Sequence, residues 1–222
     1  TAVTVAGSTR LTGTDLFGNT LTQTRTTTAV AVANGRITDR TETLAVHTDP
    51  IEGGSSDVTT ETRTFFAAFG ATQGDVRIDG RPIRSEERIT AQSIRSYDGT
   101  QLDFLSSNAL TTSTFGALTV GGRTGWGLTQ VVITPNSSTV LSGTDLLGNT
   151  IRQTRSTTAI NLANGRITDR TETLAVHTDL IEGGSSDLTT ETRTFFAASG
   201  ATQGDVRIDG RPIRSEERIT AQ

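Results

Sequence analysis

His47, Asp49, Glu52 and Asp57 fall on one segment, HTDPIEGGSSD, and the set returns as His177, Asp179, Glu182 and Asp187. Three carboxylates around a glycine-rich loop suit Ca²⁺, a hard cation that gathers roughly six to eight oxygens. Asp49, Glu52 and Asp57, with Asp179, Glu182 and Asp187, are therefore the candidate calcium ligands. The competing reading is a solvated acidic turn, favoured because neither EF-hand nor RTX spacing accompanies them. The same histidines are candidate general bases, but each copy has one, and no nucleophile signature such as Gly-x-Ser-x-Gly stands beside it. Glu86 and Glu87 are adjacent, so on a strand they face opposite ways and cannot act as a carboxylate pair. Catalytic residues are accordingly not assigned, and the expectation is a protein that is not an enzyme.

Two further residue patterns bear on binding. Trp126 sits between Gly125 and Gly127, where an exposed ring would stack on a sugar and a packed one would close a seam. Threonines at i and i+2 repeat about every 6.8 Å on one strand face, a hydroxyl and methyl array that resembles the Thr-x-Thr strips of ice-binding proteins. Thr is also a good strand former, which needs no ligand to explain it.

The elements that must position these residues are strands. The 222 residues include 45 Thr and 23 Gly, only 5% are aromatic, and Lys, Cys and Met are absent. Without Cys there is no disulfide, thiol nucleophile or Cys-zinc site, and without Lys no Schiff base or P-loop. A net charge of −4 gives nucleic acid no basic footprint. No apolar run approaches the roughly 18 residues of a membrane-spanning helix, so no membrane insertion is expected.

An offset of 130 residues lays Ser8–Gln92 on Ser138–Gln222 with 73 of 85 positions identical. The organisation read from this is a first β unit over 1–130, made of a repeated module (8–92) and a connecting β segment (93–137), then a second, partial copy over 138–222. Five substitutions keep an apolar residue and mark core candidates: Phe17/Leu147, Leu21/Ile151, Val30/Ile160, Val32/Leu162 and Val58/Leu188. Others change character, as in Thr22/Arg152, Ala31/Asn161 and Phe69/Ser199, and point to water. Near-identical tandem copies are the habit of arrays.

Period-two alternation runs wherever the chain is not turn-like. Residues 20–32 and 37–49 predict a long hairpin closed by Asn34-Gly35, with facing positions summing to 69, so that Val32 meets Ile37 and Thr28 meets Thr41. One face then holds Thr20, Thr22, Thr24, Thr26, Thr28, Thr41 and Thr43. The other holds Leu21, Ala29, Leu44 and Val46 beside Arg25, Arg40 and Glu42. Residues 58–69 predict a strand, 76–83 a short Asp-Gly hairpin with Pro82 on an edge, 84–90 a strand or a helical turn, and 93–130 about three more strands. The fold class is all-β: tandem β-sandwich-like repeats of 130-residue period, with a β-solenoid or an extended layered sheet as alternatives.

Gly13–Thr20 (GTDLFGNT) and its copy 143–150 (GTDLLGNT) resemble the Asp-x-x-Gly-Asn turn of bacterial extracellular Ig-like, adhesin-type repeats. Locally, Asp accepts from nearby amides while Gly and Asn tolerate left-handed backbone. The resemblance implies a stacked surface array. The function expected is a structural segment of an extracellular bacterial fibre, adhesin or biofilm matrix filament. Its partner is itself, head to tail through strand pairing, with an ice- or glycan-binding module on the same scaffold as the alternative. No cofactor is expected unless calcium binds. Replacing Asn34-Gly35 with Val-Val is expected to cost about 2–4 kcal/mol, since each residue is forced into left-handed backbone at ~1–2 kcal/mol; unchanged thermal melting would refute the hairpin.

Overall fold

The structure, a computed structural model, describes residues 2–221 apart from 4–6, 16, 75, 121, 199, 204, 205 and 209. Leu16 of the turn motif and Ser199 thus lie outside the described residues. The strands are β1 (Ala2–Val3), β2 (Gly7–Thr14), β3 (Thr20–Ala33), β4 (Arg36–Asp49), β5 (Gly54–Phe66), β6 (Thr72–Gln73), β7 (Val76–Arg77), β8 (Pro82–Ser96) and β9 (Gln101–Ser107). There follow β10 (Thr111–Val120), β11 (Arg123–Ile133), β12 (Thr139–Thr144), β13 (Thr150–Ala163), β14 (Arg166–Asp179), β15 (Ser185–Phe196), β16 (Thr202–Gln203), β17 (Val206–Arg207) and β18 (Pro212–Ala221). The protein is all-β. Fourteen of these strands join one antiparallel sheet, and β6–β7 and β16–β17 form two small ribbons beside it.

The sheet is a meander whose long positions are sometimes filled by two strands in line. β8 pairs with β9 near one end (Ser93 with Asp103) and with β10 near the other (Glu87 with Thr111). β9 and β10 pair in turn with β12 (Ser107 with Thr139) and β11 (Thr111 with Ile133). β12 then pairs with β13, and pairing runs on through β14, β15 and β18. Six sheet positions thus make one 130-residue period, an advance of about 29 Å at ~4.8 Å per strand. Pairing is continuous across the boundary between copies. Of the arrangements the sequence admits, the single extended sheet is the one adopted. A chain of this composition has too few large apolar residues for two packed inner faces: it exposes 13658 Å², against roughly 9,700 Å² for a compact chain of its mass.

Residues paired across strands share a face, which divides the sheet chemically. One face bears Leu44, Val46, Val58, Ile89 and Ile94, and it curls so that β5 through β15 line one cavity of about 360 Å³, with Ile89, Val131, Ile160, Ile167 and Phe196 in its wall. Leu102 and Leu141, at 1% and 0% exposure, form the tightest packing beside it. The other face is polar, with Arg63–Asp39 and Arg88–Glu61 ion pairs, and Arg63 and Arg84 stacked on Phe65 at 4.7 and 4.2 Å. The second copy repeats this around Phe195.

Bulges refine the hairpin register. Val32 meets Ile37, and the sum of 69 holds again from Thr27 down to Thr20, but between two bulges Ala29 meets Thr41 and Ala31 meets Asp39. Thr28 therefore has no partner opposite, and Ala29 moves to the face carrying Thr41. At four bulges the extra residue is a threonine whose hydroxyl donates to a carbonyl of the neighbouring strand, Thr28 to Thr41, Thr38 to Ala31, Thr90 to Thr59 and Thr129 to Thr114, at 3.0–3.3 Å; at two others it is Ile83 and Leu105. A bulge leaves ladder groups unpaired, and the hydroxyl answers one of them.

Two expectations are corrected, and the choice between strand and helical turn at 84–90 is resolved as strand. Val76–Arg77 pairs with Thr72–Gln73 rather than with 82–83, and Asp79-Gly80 turns the chain into β8, where Pro82 opposes Phe66. Among the core candidates Val30 is buried, whereas Phe17 and Leu147 are 77% and 76% exposed, because they sit at turn tips where apolar character serves no interior.

The ladder between β9 and β12 leaves no room for a side chain at Gly143, where an added methyl would collide with the backbone carbonyl of Gln101; the equivalent Gly13 faces open space. Gly143→Ala is expected to cost about 1–3 kcal/mol by overpacking, and Gly13→Ala to stay within about 0.5 kcal/mol. Urea denaturation of the two variants checks this, and equal costs would contradict the register.

Candidate functional site: sheet edges and histidine clusters

Pro82–Ala91 and Pro212–Ala221 are the same ten residues, yet they meet different surroundings. In β8, Pro82, Ile83, Ser85, Glu86 and Ile89 are half-buried, with β5 on one side and β10 on the other. In β18 all ten are exposed, because β15 is its single sheet neighbour among the described residues. The first copy shows the converse. β12 is buried over Thr139–Leu141 between β9 and β13, while its counterpart β2 is exposed along its whole length and pairs with β3 alone among the described residues. Each edge offers a row of backbone donors and acceptors whose complement is visible elsewhere in the chain, a template for further strands.

The turns hold the edge geometry. The Asp15 carboxylate accepts the amides of Phe17 and Asn19, at 2.8 and 2.9 Å, and the Asn19 side-chain amide at 2.9 Å. Asn19 in turn accepts the Ile51 amide at 3.1 Å, tying one turn to the next. Asp145, Asn149 and Ile181 repeat the arrangement. The hydrogen bond from the Asn149 side chain, with those from the turn amides, holds the Asp145 carboxyl below its ordinary range against the opposing effect of desolvation. This is the amide-accepting aspartate expected of the motif.

The acidic loops gather differently from a calcium cage. His47 bridges two carboxylates, Nδ1 lying 2.7 Å from Asp57 and Nε2 3.0 Å from Asp49. His177 does the same with Asp187 at 2.8 Å and Asp179 at 3.2 Å. Asp49 and Asp57 are brought together by the imidazole, as are Asp179 and Asp187, while Glu52 and Glu182 stay in exposed turns. No group of three or more His, Asp or Glu side chains suited to a metal ion occurs among the described residues. With both nitrogens engaged by carboxylates, neither is offered to a substrate in this arrangement. The cluster was half legible: the carboxylates stood out in the sequence, but only the cross-strand pairs of His47 with Asp57 and His177 with Asp187 show that the histidine organises them.

Other sequence candidates find structural places. Trp126 donates its indole N–H to the Pro82 carbonyl at 2.8 Å beneath Arg81, closing the seam between β11 and the start of β8. Glu86 and Glu87 point to opposite faces, as adjacent strand residues must.

The imidazolium is favoured at both clusters: the hydrogen bond to Asp57 raises the His47 pKa and that to Asp187 raises His177 above the ordinary 6.5. A base whose pKa is raised by folding contributes stability that is full below its unfolded pKa and is lost as pH rises through the folded value. NMR titration should place both imidazole midpoints above 6.5, and Asp57→Asn should lower the midpoint of His47 while leaving His177 unchanged. A wild-type midpoint at or below the ordinary value would contradict the bridge. Comparison with protein families, curated proteins and solved structures finds no match for this chain.

Proposed function

We propose that this protein is a structural repeat segment of an extracellular bacterial fibre, adhesin or matrix filament, lengthened by β-strand pairing at the edges of its sheet. The observation that carries this reading is the pair of identical strands, β8 half-buried between neighbours and β18 exposed on the same residues. The occupant is a strand of the β9–β10 segment from a further unit, because β10 is what the same ten residues hold in the first copy, with Arg84 opposite Thr114 and Glu87 opposite Thr111. On the opposite edge, β2 takes the same kind of strand, as β12 takes β9. The extracellular placement rests on the resemblance of the Asp15–Asn19 turn and on tandem duplication.

A chain carrying a second copy of residues 93–130 after residue 222 has two whole periods and complementary edges. It is expected to form filaments visible by electron microscopy. Gly13→Ala in that extended chain should leave the thermal melting of the dilute protein unchanged but block elongation, because the incoming strand would meet at Gly13 the carbonyl that Gln101 presents to Gly143. An extended chain that stays monomeric, or a Gly13→Ala variant that elongates equally well, would overturn the reading.

A further inference from the structure

The two ends of the strands differ in chemistry. At one end the turns 15–19, 50–53, 97–100, 145–149 and 180–183 each combine a large apolar residue, an acid and a glycine, and contain no arginine. Phe17, Ile51, Tyr97, Leu147 and Ile181 stand there at 77%, 76%, 77%, 76% and 72% exposure. Neighbouring tips touch: a methyl on Gly18 would meet Ile51, one on Gly53 would meet Tyr97, and one on Gly148 would meet Ile181. With the Asn19 and Asn149 bridges, this makes a continuous ridge already fixed in shape, which lowers the entropy cost of docking. Its exposed apolar residues amount to an area on the order of 900 Å², about what one partner contributes to a standard-size interface and more than a monomer ordinarily leaves exposed.

At the other end five turns finish with the same dipeptide, Gly35-Arg36, Gly80-Arg81, Gly122-Arg123, Gly165-Arg166 and Gly210-Arg211, while the Ala68–Ala71 turn beside them sets Phe69 under Arg36 and Arg77. Each of those glycines has positive φ, between 64° and 75°, which places the arginine immediately after a tight turn. Arg36, Arg81, Arg123 and Arg211 are exposed, and Asp79, the acid beside Gly80, is held by Arg77. Turns at both ends recur every two strands, at about 9.6 Å. A row of five acids and a row of five arginines therefore share one pitch.

We propose that the apolar, acidic turn end is a docking surface for the Gly-Arg turn end of a second copy, so that copies stack along the strand direction. The matched pitch and opposite charge select this occupant. A second acidic end would set Glu52 against Glu182 in like-charge contact, and an anionic bilayer would meet no cation in these turns. The contact is heterologous and repeats from copy to copy. Combined with edge pairing, it would turn filaments into sheets.

Charge exchange in the full chain tests it by sedimentation velocity at low salt. Wild type is expected to associate with rising concentration. The Glu52→Arg/Glu182→Arg chain, whose acidic end keeps Asp15, Asp98 and Asp145 beside two arginines, and the Arg123→Glu/Arg211→Glu chain, whose arginine end keeps Arg36, Arg81 and Arg166 beside two acids, have nearly neutralised one end each and should each self-associate at least tenfold more weakly. An equimolar mixture of the two should recover association to within threefold of wild type. Leu146→Ser/Leu147→Ser should weaken the wild-type contact while leaving the circular dichroism unchanged. Wild type that stays monomeric, variants that associate unchanged, or a mixture that does not recover would overturn the proposal. So would recovery in the mixture that adding Arg123→Glu/Arg211→Glu to the Glu52→Arg/Glu182→Arg chain leaves unchanged, since the proposed contact uses that chain's arginine end; such a result marks an acidic-end to acidic-end dimer. Capture of monomeric wild type by phosphatidylcholine vesicles would assign the ridge to a membrane surface instead. Strand pairing at β2 and β18 uses none of these turn residues, so the two readings fail separately.

Discussion

The interstrand backbone ladder is the interaction on which everything else in this molecule rests. It runs from β2 to β18 across both copies without a break in pairing, while among the described residues the fully buried large side chains are Leu102 and Leu141. A protein with so little interior cannot draw most of its order from a closed core. Each strand is instead held by its two neighbours, as repeats are held in a one-dimensional solenoid. Strands in the middle are supported on both sides and strands at the edges on one, which is why identical residues differ in burial between β8 and β18.

A sheet of this length must also twist and curl, and the threonines give it the means. Thr28, Thr38, Thr90 and Thr129, with their counterparts Thr158, Thr168 and Thr220, sit where a strand gains a residue, and each hydroxyl donates to a carbonyl across the bulge. Threonine is suited to both roles, since its β-branch favours extended backbone and its short hydroxyl reaches adjacent main chain. The curl that results brings the apolar faces of β5 through β15 around one cavity and gives the chain the core it has. The abundance of Thr that reads in sequence as strand propensity or as a ligand array is in part a bulge device.

Much of this was legible in the residues. The 130-residue offset, the Asn34-Gly35 turn, with φ of 51° and 73°, and the amide-accepting Asp15 follow from local chemistry that neighbours do not change. The bulges did not show, because a threonine in a bulge and a threonine in a regular strand have the same alternation. Nor did the exposure of Phe17 and Leu147: an apolar residue kept between copies looks like core whether it fills an interior or crowns a turn. The histidine clusters needed the register, since Asp57 reaches His47 across the ladder from the far side of a glycine-rich loop.

Amide exchange measured by NMR on the two identical segments tests the central claim most directly, because sequence-dependent intrinsic rates cancel between them. If order comes from neighbouring strands, the amides of Arg84–Ile89 exchange markedly more slowly than those of Arg214–Ile219 in the dilute chain. Equal protection of the two segments would mean that each copy folds as a self-sufficient unit, and would contradict a sheet whose edges await further strands.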